Sequence, residues 1–277
     1  MSRLLALTLA VSAALATPAL AQESAEAASA IEIVLAESFR DDDRARDRWR
    51  HPAETLAFFR VEPTMTVAEY SPGGGWYTRV LAPLVGRQGR YLAVNPDSAA
   101  EQMNAERRAR ADAWPTDFAG RVEGWTGLPA ARVTAFESDT PPAGVAGTVD
   151  RVLIIRNMHS IINDGNVSTE LRNLRRLLSD DGLVGVVQHR APEDDSYPQA
   201  DGERGYLKQS DIIALFDAFG FALVEASEIN ANPADTADWP RGVWTLPPTY
   251  TLGDVDRARY EAIGESDRMT LLFRKAE

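Results

Sequence analysis

The sequence predicts an α/β fold: a doubly wound sheet of seven mostly parallel strands, forming one domain. Three observations carry this. From residue 66 onward, short apolar segments alternate with segments of helical period. The most hydrophobic segment, DRVLIIRN (150–157), reads as a strand buried on both faces at the centre of a parallel sheet. Strand and helix alternate through five units before two closing strands, an order that implies right-handed crossovers.

The elements follow in order. Residues 23–47 read as helix, with SFRDDDRARDRWR as a charged, solvated stretch. HPAETLAFF (51–59) reads as a second short helix with Pro52 in its first turn. TVAEY (66–70) is the first strand, followed by a helix from about Trp76 to Val85. RYLAVN (90–95) is the second strand, leading into a long polar helix over 98–113. ARVTAFES (131–138) is the third strand and DRVLIIRN the fourth. Ser168 or Thr169 can cap a helix whose Leu171, Leu174, Leu177 and Leu178 share one face. GLVGVVQH (182–189) is the fifth strand, and SDIIALFDAFG (210–220) is an amphipathic helix closed by Gly220. FALVEASEI (221–229) and RMTLLFRK (268–275) are the last two strands. Between them, about 230–266 is an insertion, with four prolines and two tryptophans in NPADTADWPRGVWTLPPTY. A loop of this length and aromatic content is usually functional.

Residues 1–21 read as an export signal. Arg3 gives the positive start, residues 4–15 the apolar run, and Ala19-Leu20-Ala21 the small-x-small cleavage pattern. The expected product begins at Gln22, with 22–65 as an N-terminal helical segment and 66–277 as the main domain, destined for the periplasm or the medium. No later segment is apolar and long enough to insert in a membrane. With no cysteine, disulfides, thiol nucleophiles and Cys-ligated metals are excluded. The formal net charge is −12 and becomes one unit more negative when Arg3 is removed, which argues against nucleic acid and anionic membranes as partners. The sequence says nothing about oligomeric state.

The turn after the first strand, Glu69-Tyr70-Ser71-Pro72-Gly73-Gly74-Gly75, is the most informative stretch. In open parallel sheets, ligands bind beyond the carboxyl ends of the strands where the strand order reverses. Glycines there permit close backbone approach, and Glu69 can accept hydrogen bonds. The dinucleotide fingerprint G-x-G-x-x-G fails, because its third glycine position, counted from Gly73 and Gly75, is Thr78. Trp76 and Tyr77 also crowd the helix start that a pyrophosphate would need. The bland reading of these glycines is a tight turn without a ligand.

An acid ending the first strand, followed by a glycine-rich turn, resembles motif I of class I S-adenosylmethionine-dependent methyltransferases. Gly73 and Gly75 match two of that motif's glycines, and Ser71 replaces the first. The string EYSPGGGWYT is similar to a family of exported bacterial methyltransferases, as are RNMHSIIND (156–164), HRAP (189–192), GVWTLPPTY (242–250) and GESDRMTLLFRK (264–275). The resemblance spans most of the chain. It implies a Rossmann-like fold, S-adenosylmethionine as cofactor and a small-molecule acceptor. The implied cofactor-binding residues are Glu69, Tyr70, Gly73, Gly74, Gly75 and Asn95. Asn95 stands where such enzymes commonly carry an acid for the ribose hydroxyls; Asp97 is a possible substitute.

His159 follows the fourth strand and His189 ends the fifth, so both rings can face one crevice beside the glycine turn. Arg156, Asn157 and Arg190 crowd the same rim. By the resemblance, the loop after the fourth strand lies near the transferred methyl, which makes Asn157 and His159 the catalytic candidates. Histidine suits a general base near neutral pH. His189, Arg190, Arg156 and Trp244 are the candidates for substrate binding. His51 reads as structural. A metal site built from His159, His189 and Asp164, Glu193 or Asp194 lacks tight ligand spacing, and no metal is expected. Trp239, Trp244 and Tyr250 read equally as a lid or as anchors of the loop. Two other readings stay open: an exported methyltransferase-like binding protein without turnover, and a hydrolase or isomerase using His159 and Glu69. The absence of G-x-S-x-G weakens the hydrolase form.

Overall fold

The computed structural model describes residues 16–98 and 105–276. The strands are β1 (Thr66–Tyr70), β2 (Arg90–Asn95), β3 (Val133–Glu137), β4 (Val149–Ile155), β5 (Leu178–His189), β6 (Phe221–Ser227) and β7 (Arg268–Lys275). The helices are α1 (Ala16–Leu35), α2 (Asp47–Arg50), α3 (Pro52–Phe58), α4 (Thr78–Val85), α5 (Ala105–Thr126), α6 (Met158–Asn163), α7 (Val167–Leu177), α8 (Tyr197–Ala200), α9 (Gln209–Ala218) and α10 (Arg257–Ile263). The strands form one sheet in the order β3-β2-β1-β4-β5-β7-β6. Pairing is parallel from β3 through β5, and β7 runs antiparallel to both β5 and β6.

Alternation along each strand divides the core between the two faces of the sheet. Ala68, Leu92, Val152, Ile154 and Val184 bury one face under α6, α7 and α9. Val67, Tyr91, Ala93, Leu153 and Val187 bury the other under α1, α3, α4 and α5. On α7, the spacing of Leu171, Leu174 and Leu177 brings all three to at most 1 % exposure. Each such burial contributes roughly 2 kcal/mol.

The signal expected over 1–21 lies, up to residue 15, outside the described residues; from Ala16 the backbone is one helix to Leu35. The structure differs from the sequence-based expectation in three other places. The polar helix expected over 98–113 runs instead from Ala105 to Thr126, because Phe118 and Val122, four residues apart, bury its far end. Residues 99–104 lie outside the described residues. The stretch read as solvated charges, residues 38–50, is docked against the start of α4 and the segment before β7, and Arg40 and Arg50 are buried. The 230–266 insertion, read as a long loop, has regular structure. It contains α10 and a 3-10 turn, Gly242–Thr245, and packs Trp239, Leu246 and Tyr260 with Ala191, Ala200 and Tyr206 of the preceding segment into a cluster separate from the two faces of the sheet. Its polar centre is Asp235, which accepts from Tyr206 (2.9 Å), Trp239 Nε1 (2.6 Å) and the backbone N–H of Ala237 (2.9 Å) and Asp267 (2.8 Å). A long irregular segment stays ordered when its buried polar groups are satisfied in this way.

Candidate active site

The strand order reverses between β1 and β4, and a crevice opens there, beyond their carboxyl ends. Its volume is about 410 Å³, within the range of small-molecule sites. The β1 turn supplies Glu69, Tyr70, Gly73 and Gly74; the segment after β4 supplies Arg156, Asn157 and His159; β5 supplies His189. Trp244, Pro248 and Thr249 close it from the insertion, and Arg46 and Arg50 from the N-terminal segment.

The three glycines of the turn have different jobs. Gly75 has φ 76°, and a Cβ there would lie 2.3 Å from the ring of Trp125, so this position serves packing against α5. Gly73 has φ 55°, the left-handed region that side chains resist. Gly74 is the open one: a Cβ there would meet no heavy atom within 4 Å. Ser71, which replaces a motif glycine, still adopts the left-handed backbone at φ 50°, at a cost of about 1–2 kcal/mol.

Glu69 is buried, and its Oε2 accepts from Thr78 Oγ1 at 2.7 Å and from Tyr91 OH at 2.5 Å. Burial pushes its pKa up to about 7, against the pull of those hydrogen bonds and of Arg79. Asn157 Nδ2 donates to the carbonyls of Ser71 (3.1 Å), Tyr70 (3.3 Å) and Ile155 (3.0 Å). That amide nitrogen therefore ties the β4 loop to the β1 turn and holds the glycine segment in place.

The two histidine rings lie 5.7 Å apart, centroid to centroid. Gln188 fixes the tautomer of His159. The Gln188 amide nitrogen donates to the Gly205 carbonyl at 2.7 Å, which leaves its Oε1 toward His159 Nδ1 at 3.4 Å. A proton on Nδ1 makes Nε2 the basic nitrogen. Burial lowers the pKa of His159, and Arg156 adds to the effect. His189, whose Nδ1 lies 2.5 Å from Ser266 Oγ, is lowered further by burial and then by His159, Arg156 and Arg268. Both imidazoles are thus neutral at neutral pH. Trp244 packs edge-on against His159 at 5.9 Å. Trp239 is buried in the cluster that joins the insertion to Ala191, Ala200 and Tyr206, and Tyr250 lies under Arg257 at 3.9 Å, so both act as anchors, while Trp244 faces the crevice.

Arg190, expected beside the histidines, points elsewhere. Neighbouring side chains on an extended backbone face opposite ways, and Arg190 pairs with Asp267 (2.8 Å) and Glu228 (2.7 Å) in a separate hollow. Gly75 and Asn95 do not line the crevice either; the Asn95 carbonyl accepts from Ser138 N at 2.9 Å. At the carboxyl ends of β2 and β3, carboxylate oxygens of Asp97, Glu137 and Asp139 gather within 4.8 Å of one another; among the described residues, no such three-ligand group includes a histidine. The sequence reading placed Trp76 and Tyr77 beside the glycine turn but missed Arg46, Arg50 and Arg79 as crevice residues. The only sequence signal of these arginines is the i, i+4 spacing of Arg46 and Arg50, which an exposed helix face shares.

No protein-family model matches this sequence, and no curated protein does. Solved structures do match. A SAM-dependent methyltransferase from Aquifex aeolicus is 18% identical, with 73% of this chain and 93% of that chain covered and a TM-score of 0.50. The fold is that of the class I methyltransferases. A second structure, the 1,6-didemethyltoxoflavin-N1-methyltransferase of Burkholderia thailandensis with bound 1,6-didemethyltoxoflavin and S-adenosylhomocysteine, is 15% identical over 96% of this chain and 94% of that one, with a TM-score of 0.48.

Proposed function

We propose that this protein is an exported S-adenosylmethionine-dependent methyltransferase acting on a small molecule. The observation that carries the reading is the meeting of the open Gly73-Gly74 turn with the basic nitrogen of a neutral His159 in one crevice at the β1–β4 reversal. The residues there suit the cofactor: Gly74 leaves room for a ligand against its backbone, and Tyr70 and Glu69 form the wall beside it. The cofactor supplies an electrophilic methyl on a sulfonium. The protein's own part is alignment of the acceptor between Trp244 and the turn, and removal of its proton by His159 Nε2. A crevice of about 410 Å³ in an acidic chain favours a small molecule over nucleic acid.

Calorimetric titration of residues 22–277 with S-adenosylmethionine and S-adenosylhomocysteine tests this. Micromolar binding is expected, and Gly74→Leu, which fills open space without a left-handed backbone to strain, should weaken it at least about a hundredfold while the protein stays folded. No binding by a folded sample at millimolar ligand sinks the reading. In that case the second reading, a binding protein without turnover, gains the support of Asn95, which contributes no side chain to the crevice. Export has its own check: protein recovered outside the cytosol should begin at Gln22, and an intact Met1 there would refute cleavage.

A further inference from the structure

The crevice is more cationic than its role as a cofactor site requires. Arg46, Arg50, Arg79 and Arg156 line it, and Glu69 is the one carboxylate among the residues that line it. Two of the four are accounted for in full or in part by neighbours outside the lining. Arg79 is held by Asp43 (2.5 and 2.8 Å) and donates to the Gly74 carbonyl at 3.0 Å. Arg46 reaches Glu265 at 2.8 Å.

Arg50 is different. It is 1 % exposed, and its Nε is bound to Glu265 at 2.9 Å, but Nη1 and Nη2 have no hydrogen-bond partner among the described residues. Its guanidinium lies over the ring of Trp76 at 4.6 Å, which fixes the plane of the fork. Arg156 adds a different orphan donor: its Nε is buried with no partner among the described residues, on a residue held at φ 60°. Buried donors without acceptors are costly, and a charged donor more so. Glu265 cannot relieve the excess, since it already serves Arg46, Arg50 and Arg268. An arginine fork with free terminal nitrogens matches the two oxygens of a carboxylate or a phosphate.

We propose that Arg50 and Arg156, with Arg46, form an anion subsite, and that the small molecule taken into the crevice carries a carboxylate or phosphate group there. The assignment of this group to the methyl acceptor rests on the methyltransferase reading; the subsite itself rests on the arginines. The rival source of the same chemistry is the carboxylate at the amino-acid end of the cofactor.

The test is calorimetric titration of residues 22–277 with inorganic phosphate, alone and at saturating S-adenosylhomocysteine. Saturable phosphate binding is expected, persisting with S-adenosylhomocysteine present, and weakened about tenfold or more in Arg50→Gln and in Arg156→Gln, as loss of one charge-assisted contact implies. Among the described residues Arg156 makes no salt bridge and its Nε has no partner, so Arg156→Gln keeps the test decisive if Arg50→Gln fails to fold. No saturable binding, or equal binding by the wild type and both folded variants, overturns the subsite. Displacement of phosphate by S-adenosylhomocysteine but not by methylthioadenosine, which lacks the amino-acid end, overturns the acceptor assignment and gives the arginines to the cofactor. If S-adenosylhomocysteine does not bind, the methyltransferase reading fails separately, and the phosphate titration of the two variants still decides the subsite.

Discussion

Replacing Glu265 by glutamine should cost about 3–5 kcal/mol of folding stability. Glu265 is 3 % exposed and is the shared anion of three arginines: Arg46 Nε at 2.8 Å, Arg50 Nε at 2.9 Å and Arg268 Nη1 at 3.1 Å. Arg50 and Arg268 are themselves buried, so removing the charge leaves two guanidinium groups in a low-dielectric interior with nothing to balance them. A glutamine also turns an amide N–H toward groups that only donate. The same contact clamps the segment before β1 onto β7: Arg268 Nη2 donates to the Trp49 carbonyl at 2.7 Å, and Tyr77 OH to the Arg50 carbonyl at 3.3 Å. Urea unfolding of the two proteins measures the difference. Arg46→Gln is the internal control; its side chain is 28 % exposed, so a loss of about 1 kcal/mol or less is expected. A Glu265→Gln protein within about 1 kcal/mol of wild type would remove Glu265 as the clamp.

His159→Ala should lower kcat about 10²- to 10⁴-fold with a smaller change in KM, the signature of a lost general base. The assay is S-adenosylhomocysteine formation from S-adenosylmethionine with the acceptor. A loss under about threefold would take His159 out of the mechanism. The pH profile gives an independent reading. The active form is the neutral imidazole, and burial lowers the pKa of His159 below its ordinary value of 6.5. The loss due to His159 should therefore begin below the ordinary histidine range, as an acid limb distinct from any effect of Glu69, which titrates near 7. Gln188 positions this base, because its Oε1 faces Nδ1. Gln188→Leu should lower kcat and shift that acid limb, a change that simple loss of stability would not produce.

Much of the fold was legible because strand and helix periodicity are local properties. The seven apolar segments, the burial of DRVLIIRN on both faces and the leucine stripe of α7 are set by spacing within a few residues. What escaped depends on contacts distant in sequence. The charged pattern of α5 gave no sign that Phe118 and Val122 sit under the sheet, because two apolar residues among many charges do not set a period. The 230–266 insertion read as a long loop without regular elements, since one of the contacts that order it, Tyr206 on Asp235, joins side chains 29 residues apart.

For the site, the sequence by itself determined the glycine turn, its place after the first strand and the pairing of His159 with His189 across neighbouring strands, because parallel topology brings strand ends together. Tertiary structure alone decided which of those residues face the crevice. It turned Arg190 to Asp267, assigned Gly75 to Trp125, and kept the Asn95 side chain out of the lining. It also brought Arg46 and Arg50 from a stretch that reads as a solvated face to within hydrogen-bonding reach of Glu265, more than two hundred residues away in the chain. The reason is that charge burial is not a local property: an arginine is stable inside only where a distant carboxylate or a ligand meets it, and no window of sequence contains that partner.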